Sequence, residues 1–252
     1  MLKKLFGARL QPQAEPAAPE DARVYVIGDI HGRYDLLRRL RAQIVEDAEG
    51  AAVSRKVVVY LGDYVDRGDS SKQVIELLIA APLDGFESVF LSGNHEAMML
   101  GFLDDPSVGA MWLHNGGDAT LFSYGVGIGS GANAEQRMIA MQAGLRAKLP
   151  DSHLAFLRAL RPYHAEGDYL FVHAGIQPGV PVKEQTAEAL FWIREEFLYS
   201  REDHGHCVVH GHTIVSEPEF RPNRIGIDTG AFFTNTLTCL VLERTDQRIL
   251  HT

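Results

Sequence analysis

Three times before residue 101, an apolar, β-branched-rich run ends in a glycine-flanked loop and then gives way to a helical pattern. The runs are 24–27, 57–61 and 88–91. The loops are Gly28-Asp29-Ile30-His31-Gly32, Gly62-Asp63-Tyr64-Val65-Asp66-Arg67-Gly68 and Gly93-Asn94-His95-Glu96. Leu36, Leu37, Leu40, Ile44 and Val45 stand at helical spacing after the first loop. Residues 71–80 form an amphipathic pattern after the second, with Ser70 or Ser71 as the N-cap, and Met98, Met99 and Leu100 follow the third. Strand, loop and helix in this rhythm predict βαβ units and a largely parallel sheet. Loops at strand tips are where open α/β sheets carry their sites. Loops bearing Asp and His, Asp, and Asn and His can converge on two hard cations, the arrangement of two-metal phosphoryl hydrolysis.

Residues 101–165 break the rhythm. They hold Trp112, the polar run His114-Asn115-Gly116-Gly117-Asp118, a glycine-rich stretch at 125–131 and helical segments near 135–148 and 151–160. We read them as a mostly helical insertion lying over the site. Closely spaced strands at 169–173, 207–210, 224–227 and 237–242 then imply a second, partly antiparallel sheet packed on the first. Gly127-Ile128-Gly129-Ser130-Gly131-Ala132 brushes the dinucleotide fingerprint, but no βαβ unit surrounds it.

With 252 residues, 46% of them hydrophobic, the chain can bury a sizeable core. We expect one catalytic domain over 23–252 and a disordered leader over 1–22, where Pro, Ala, Gln and Glu dominate residues 11–20. A net charge of −9 leaves no basic footprint for nucleic acid or an anionic membrane. No apolar run approaches the ~20 residues of a membrane span, and the N-terminus lacks the apolar core of a signal peptide. Cys207 and Cys239 make no disulfide framework, which points to a reducing, cytoplasmic setting. Neither has the arginine six positions on that cysteine-dependent phosphatases need: Thr213 and Thr245 stand there.

Asp29 and His31 lie at i and i+2, so a turn must bring both side chains to one ion. Asp63 offers a carboxylate able to bridge two ions, and Asn94 an amide oxygen. Histidines to complete a second ion include His173, after the run 169–172, and His212 in Gly211-His212-Thr213. His210 would share a face with His212 on a strand, so pattern alone does not separate them. Carboxylate, amide and imidazole ligands together suit Mn²⁺, Fe or Zn²⁺ better than Ca²⁺.

The three loop motifs resemble the three signatures of the phosphoprotein phosphatase branch of the metallophosphoesterases. Met111-Trp112-Leu113-His114-Asn115-Gly116-Gly117, Phe191-Trp192-Ile193-Arg194-Glu195, Gly211-His212-Thr213 and Ile227-Asp228-Thr229-Gly230-Ala231 resemble its bacterial and phage members, the bacteriophage lambda phosphatase among them. The resemblance runs from about residue 24 to about residue 242. It implies an α/β sandwich of two mixed sheets flanked by helices, and two divalent ions, Mn²⁺ first, with Fe or Zn possible. It implies Asp29, His31 and bridging Asp63 on the first ion, and Asp63, Asn94, His173 and His212 on the second. Arg67 and Arg194 would grip phosphate oxygens, as a planar guanidinium fork suits. His95, oriented by Asp66, would protonate the leaving group after a metal-bridging hydroxide attacks in line. Beside the resemblance, Glu96 reads as a group bracing the site rather than a ligand, and Asp228, in the loop after Ile227, is left with its role open.

The activity implied is removal of phosphate from phosphoserine and phosphothreonine, with dual specificity open, on a phosphorylated protein or a small phosphate ester. A regulatory subunit is not indicated. The rival is hydrolysis of dinucleoside polyphosphates. Enzymes of that group tend to carry Gln in the first motif and Asp at the end of the third, where this chain has His31 and Glu96. A phosphodiesterase commonly adds a histidine two residues after the Gly-His, where Ile214 stands.

Overall fold

The structure is a computed structural model that describes residues 15–252 except 128, 130 and 132. Strands β1 (Ala22–Ile27), β2 (Arg55–Tyr60) and β3 (Glu87–Phe90) are parallel neighbours. Each leads through its loop into a helix: α1 (Tyr34–Glu49), α2 (Ser71–Ala80) and α3 (Asn94–Asp104). The expected Ser70 or Ser71 cap is not made by a side chain. The Ser71 hydroxyl instead accepts the Asp66 amide at 3.1 Å, inside the site.

After α3 the chain makes a 3₁₀ turn (Pro106–Val108), α4 (Gly109–Trp112), a π-type turn (Leu113–Gly117), α5 (Asp118–Ser123), α6 (Ala134–Lys148) and α7 (Asp151–Arg158). The helical stretch stops short of 165, because β4 (Tyr163–Glu166) has already begun. Next come β5 (Tyr169–Val172), α8 (Ala187–Trp192), α9 (Glu195–Leu198), β6 (Cys207–His210), β7 (Glu219–Phe220), β8 (Arg224–Gly226), α10 (Ala231–Thr234), β9 (Thr238–Glu243) and β10 (Asp246–His251).

Among the described residues these strands form two mixed five-stranded sheets, ordered β10-β9-β1-β2-β3 and β4-β5-β6-β8-β7. The strand expected at 237–242 therefore belongs to the first sheet, where β9 runs antiparallel to β1. A fully buried strand reads the same in either sheet, so its sequence does not say which one it joins. The expected leader also needs correcting from Pro16 onward. Its Ala17 amide donates to Asp168 Oδ2, its Ala18 amide to the Arg244 carbonyl, and its Pro16 carbonyl accepts the Tyr169 hydroxyl. Residues 1–14 of that expectation lie outside the described residues.

Strand alternation explains the layers. Val24, Val26, Val57, Val59 and Leu61 face Tyr169, Phe171, Val209, Ile225 and Ile227 across the space between the sheets. The alternate residues, Tyr25, Ile27, Val58 and Tyr60, pack under α1, α2 and the helices after α3. Leu170, Val172 and Val208 back onto Leu190 and Phe197 on the far side of the second sheet. With β1, β2 and β3 parallel in one sheet and β5 and β6 parallel in the other, the loops after them gather at one rim.

Candidate active site

The rim loops are wound against the usual backbone preference. His31, Asp63, Asp66, Arg67 and His212 have φ of 45°, 50°, 72°, 67° and 61°. Left-handed non-glycine residues cost roughly 1 kcal/mol or more each, and persist where the surrounding structure over-determines them. Five of the residues singled out above share this conformation, so their strain is concentrated at the site.

Asp63 stands at the centre. Its Oδ2 lies 3.4 Å from His31 Nε2, 3.4 Å from His173 Nε2 and 3.9 Å from His95 Nε2. Its Oδ1 accepts the His95 amide at 3.2 Å. The His31 Nδ1–H donates to the Val65 carbonyl at 2.9 Å, and the His173 Nδ1–H to the Leu61 carbonyl at 3.0 Å. Those bonds fix the tautomers, so in the neutral rings both Nε2 lone pairs face the carboxylate. Asn94 Oδ1 lies 2.9 Å from His173 Nε2 and 3.0 Å from His212 Nδ1. Two clusters result, each with ligand atoms within 4.8 Å of one another: His31, Asp63 and His95, and Asp63, His173 and His212. They share Asp63. Asp29 belongs to neither: its Oδ2 accepts the His212 amide at 3.0 Å. His95, expected only as a proton donor, joins the first cluster.

Burial dominates the electrostatics of the site. Burial, then neighbouring His95, holds His31 well below the ordinary histidine range, and burial and His212 do the same for His173. Burial and the nearby Arg194 bring His212 down to about 3. Burial, with Asp228 and Asp63 beside it, pushes Asp29 well above the carboxylate range. Asp29 Oδ1 and His212 Nε2 are buried without a hydrogen-bond partner. Gly93 and Gly211 leave room for the carboxylates: a Cβ there would lie 2.1 Å from Asp63 Oδ1 and 2.0 Å from Asp29 Oδ1. Facing acceptors, neutral imidazoles and orphaned ligand atoms fit divalent cations and little else.

Beside the clusters, the His95 Nδ1–H donates to Asp66 Oδ2 at 2.7 Å. Burial works to lower the His95 pKa, but the charges of Asp63 and Asp66 outweigh it and hold the ring above its ordinary value. Asp66 is itself held on all sides. Trp112 Nε1 donates to Oδ2 at 2.9 Å and the Thr120 hydroxyl to Oδ1 at 2.7 Å. Its amide donates to Thr120 Oγ1 at 2.8 Å. Arg67 is exposed, its Nη2 lies 3.3 Å from His95 Nε2, and its amide donates to the Gly116 carbonyl at 3.1 Å. Arg194, also exposed, donates from Nη1 to Thr213 Oγ1 at 3.2 Å, next to His212.

Behind the two clusters, Glu96 accepts four backbone amides, those of Asp63, Tyr64, Val65 and Gly93, at 2.7–3.3 Å, which stitches the second and third loops together. Asp228 accepts the Gly230 amide at 2.8 Å, and burial raises its carboxyl to about 6. His210 and His212 separate in space. The His210 Nδ1–H donates to the Gly211 carbonyl and its Nε2 accepts from Arg224, while its ring packs on Phe197, away from Asn94.

No sequence pattern marks Ser71, Thr120 or Phe232 as site neighbours. Phe232 lies against both His31 and Arg67. Each of these residues meets the site only through the fold. Trp112 lies in the motif 111–117, but its bond to Asp66 is a tertiary contact.

The sequence profile described as Calcineurin-like phosphoesterase matches residues 22–229. The chain is similar to "Serine/threonine-protein phosphatase 2" of Salmonella typhimurium, 27% identical over 85% of this chain and 90% of that one. It is similar also to "Bis(5'-nucleosyl)-tetraphosphatase PrpE [asymmetrical]" of Bacillus mycoides, 25% identical over 85% and 88%. Among solved structures, a cold-active protein tyrosine phosphatase superposes with a TM-score of 0.60 at 18% identity, covering 94% of this chain and 82% of that one.

Proposed function

The chain belongs to the calcineurin-like phosphoesterase family, and we propose that within it this protein is a dinuclear-metal phosphomonoesterase of the serine/threonine protein phosphatase type. One observation carries the reading: a pair of metal-type clusters sharing Asp63, with the His95–Asp66 pair and Arg67 alongside. The similarity to the Salmonella phosphatase over nearly its whole length supports the protein substrate. The similarity to the Bacillus tetraphosphatase supports a second reading, hydrolysis of dinucleoside polyphosphates at the same site.

Asp29, His31 and Asp63 would hold one ion, and Asp63, Asn94, His173 and His212 the other, with Mn²⁺ first and iron or zinc as alternatives. The ions would supply Lewis acidity toward phosphoryl oxygens and make a water readily deprotonated at neutral pH. The chain's own residues do the rest. Arg67 and Arg194 place exposed guanidinium forks where they take phosphoryl oxygens and meet the charge that grows on them. His95 delivers a proton from Nε2 to the leaving oxygen, the nitrogen that Arg67 now faces. Asp66 keeps the other nitrogen protonated and the ring aimed, and Trp112 and Thr120 keep Asp66 in place. The catalytic domain we assign to 23–252, with the helical residues of 101–165 shaping the entrance, and the setting to the cytoplasm, where free thiols such as Cys207 and Cys239 persist.

The test is a Mn²⁺-supplemented panel on the wild type and Asp63→Asn: an aryl phosphate, peptides carrying each phosphoresidue, and a dinucleoside tetraphosphate. Phosphate release from the monoesters, lost in Asp63→Asn, is the expected result. No hydrolysis of any substrate would sink the enzyme reading, and preference for the tetraphosphate would promote the second one.

A further inference from the structure

The phosphoryl chemistry above does not use Phe232, yet its ring touches two members of the site. The Arg67 guanidinium carbon sits 4.7 Å from its centroid, and the His31 ring meets it edge-on at 5.5 Å. His31 in turn lies 4.6 Å from His95, ring centre to ring centre. Phe233 stands nearly perpendicular to Phe232 at 5.0 Å and is 57% exposed. The two rings form an aromatic corner on the side of the site where His95 and Arg67 stand.

The corner is held stiffly. Helix α10 is bracketed by left-handed residues, Gly230 at φ 68° and Asn235 at φ 62°. Arg33 Nη1 donates both to the Ala231 carbonyl, at 2.9 Å, and to Asn235 Oδ1, at 2.7 Å. The Thr234 hydroxyl donates to the Thr229 carbonyl, and the Thr229 hydroxyl to the Thr236 carbonyl, both at 2.9 Å. A turn tied at both ends gives up little freedom when a ligand arrives, which favours binding.

We infer that Phe232 and Phe233 are a specificity-determining wall for an aromatic leaving group bonded directly to the phosphoryl oxygen, the ring of phosphotyrosine. The inference rests on the phosphomonoesterase reading above and names a substrate class within it. Reach decides the class. His95 protonates the leaving oxygen, so the leaving group lies beside it, and the wall is one ring away through His31 and Arg67. A tyrosine ring begins one bond beyond that oxygen and meets the corner. A seryl or threonyl side chain offers only its Cβ before the backbone begins, and a nucleobase is held off by a whole ribose. In hydrolysis a water gives up one proton to solvent and its oxygen bonds to phosphorus. The bond from phosphorus to the aryl oxygen breaks with its electron pair on that oxygen, and the His95 proton converts it to tyrosine's hydroxyl. Aromatic pairs prefer offset or edge-on contact, and the perpendicular Phe rings offer both.

The experiment uses the full chain with Mn²⁺ and one peptide sequence carrying either phosphotyrosine or phosphothreonine. In Phe232→Leu, the ratio of kcat/KM for the tyrosyl over the threonyl peptide should fall about threefold to tenfold, the size of an aromatic pair contact. Taking the ratio against the wild-type ratio cancels the intrinsic difference between aryl and alkyl leaving groups. Phe233→Leu should move it the same way, and Phe232→Tyr should restore it. Calorimetry adds a readout without turnover: Phe232→Leu should weaken a non-hydrolysable phosphonate analogue of the tyrosyl peptide more than it weakens inorganic phosphate. Equal losses on both peptides and on phosphate would mean that Phe232 merely props Arg67, and would overturn the inference. So would an unchanged ratio, or a loss confined to a dinucleoside tetraphosphate. A wild type inactive on every monoester would instead bring down the phosphomonoesterase reading, and this inference with it.

Discussion

His95 concentrates the residue-level argument, because its two nitrogens face opposite demands. Nδ1 is locked to Asp66 at 2.7 Å, while Nε2 points into the site beside Arg67. If leaving-group protonation is its role, His95→Asn should lower kcat by about 10²-fold or more for alkyl esters and by much less for an activated aryl ester. Steady-state rates on the two ester types check it, and equal losses would contradict the role. His210, two residues from His212, is instead a stability residue. Burial brings it down to about 4, so the unfolded chain binds a proton that the folded one refuses. Its contribution is full above the unfolded value near 6.5 and is lost as pH falls from there toward 4, at up to about 1.4 kcal/mol per pH unit. His210→Gln should flatten the pH dependence of urea-unfolding free energy across that window by about one proton's worth. Residues like Asp29, His31, Asp63 and Asn94 were legible because ligand types between glycines at strand tips have few other uses. Thr120 and Phe232 were not, since an isolated Thr or Phe carries no chemistry until the fold brings it beside Asp66 or Arg67.

Elements, more than single side chains, explain how strained loops stay wound. The π-type turn Leu113–Gly117 presses on the second loop through Gly116, whose φ is 97°. A Cβ there would lie 2.9 Å from both the Arg67 Cγ and its amide nitrogen. Gly116→Ala should therefore displace Arg67, raise KM for monoesters and weaken inhibition by inorganic phosphate by about tenfold. Metal binding, measured by Mn²⁺ titration, should be unaltered because no expected ligand touches Gly116. The core strands were readable from their β-branched runs. The edge strands Tyr163–Glu166, Glu219–Phe220 and Asp246–His251 were not, because short or polar edges carry little of the periodicity that marks a strand. The segment from Pro16 differs from the sequence expectation for a related reason. Its order comes from hydrogen bonds to Asp168, Tyr169 and Arg244, far along the chain, and composition does not register these.

At the scale of the whole molecule, the site straddles two sheets. The loops after β1, β2 and β3 supply Asp29, His31, Asp63 and Asn94, while β5 and β6 lead to His173 and His212. On the proposed ligand set, metal binding is coupled to folding. Divalent ion at a hundredfold excess over its Kd should stabilise the chain by about 2.7 kcal/mol per site, read as a rise in Tm that a chelator reverses. Asp63→Asn should abolish most of that rise. Without metal the variant should melt no lower than the wild type, because burial already disfavours the Asp63 charge. An unchanged metal response in the variant would show that Asp63 does not bridge the two clusters. The valines and isoleucines between the sheets thereby act as shims. Thinning or thickening that filling by a methyl group, at Val59 or Ile225, shifts one bank of ligands against the other, since a close-packed interior passes displacement along rather than absorbing it. Catalytic spacing in this protein is set partly by apolar residues that touch neither metal nor substrate, so rate can drift over generations without any substitution in the loops themselves.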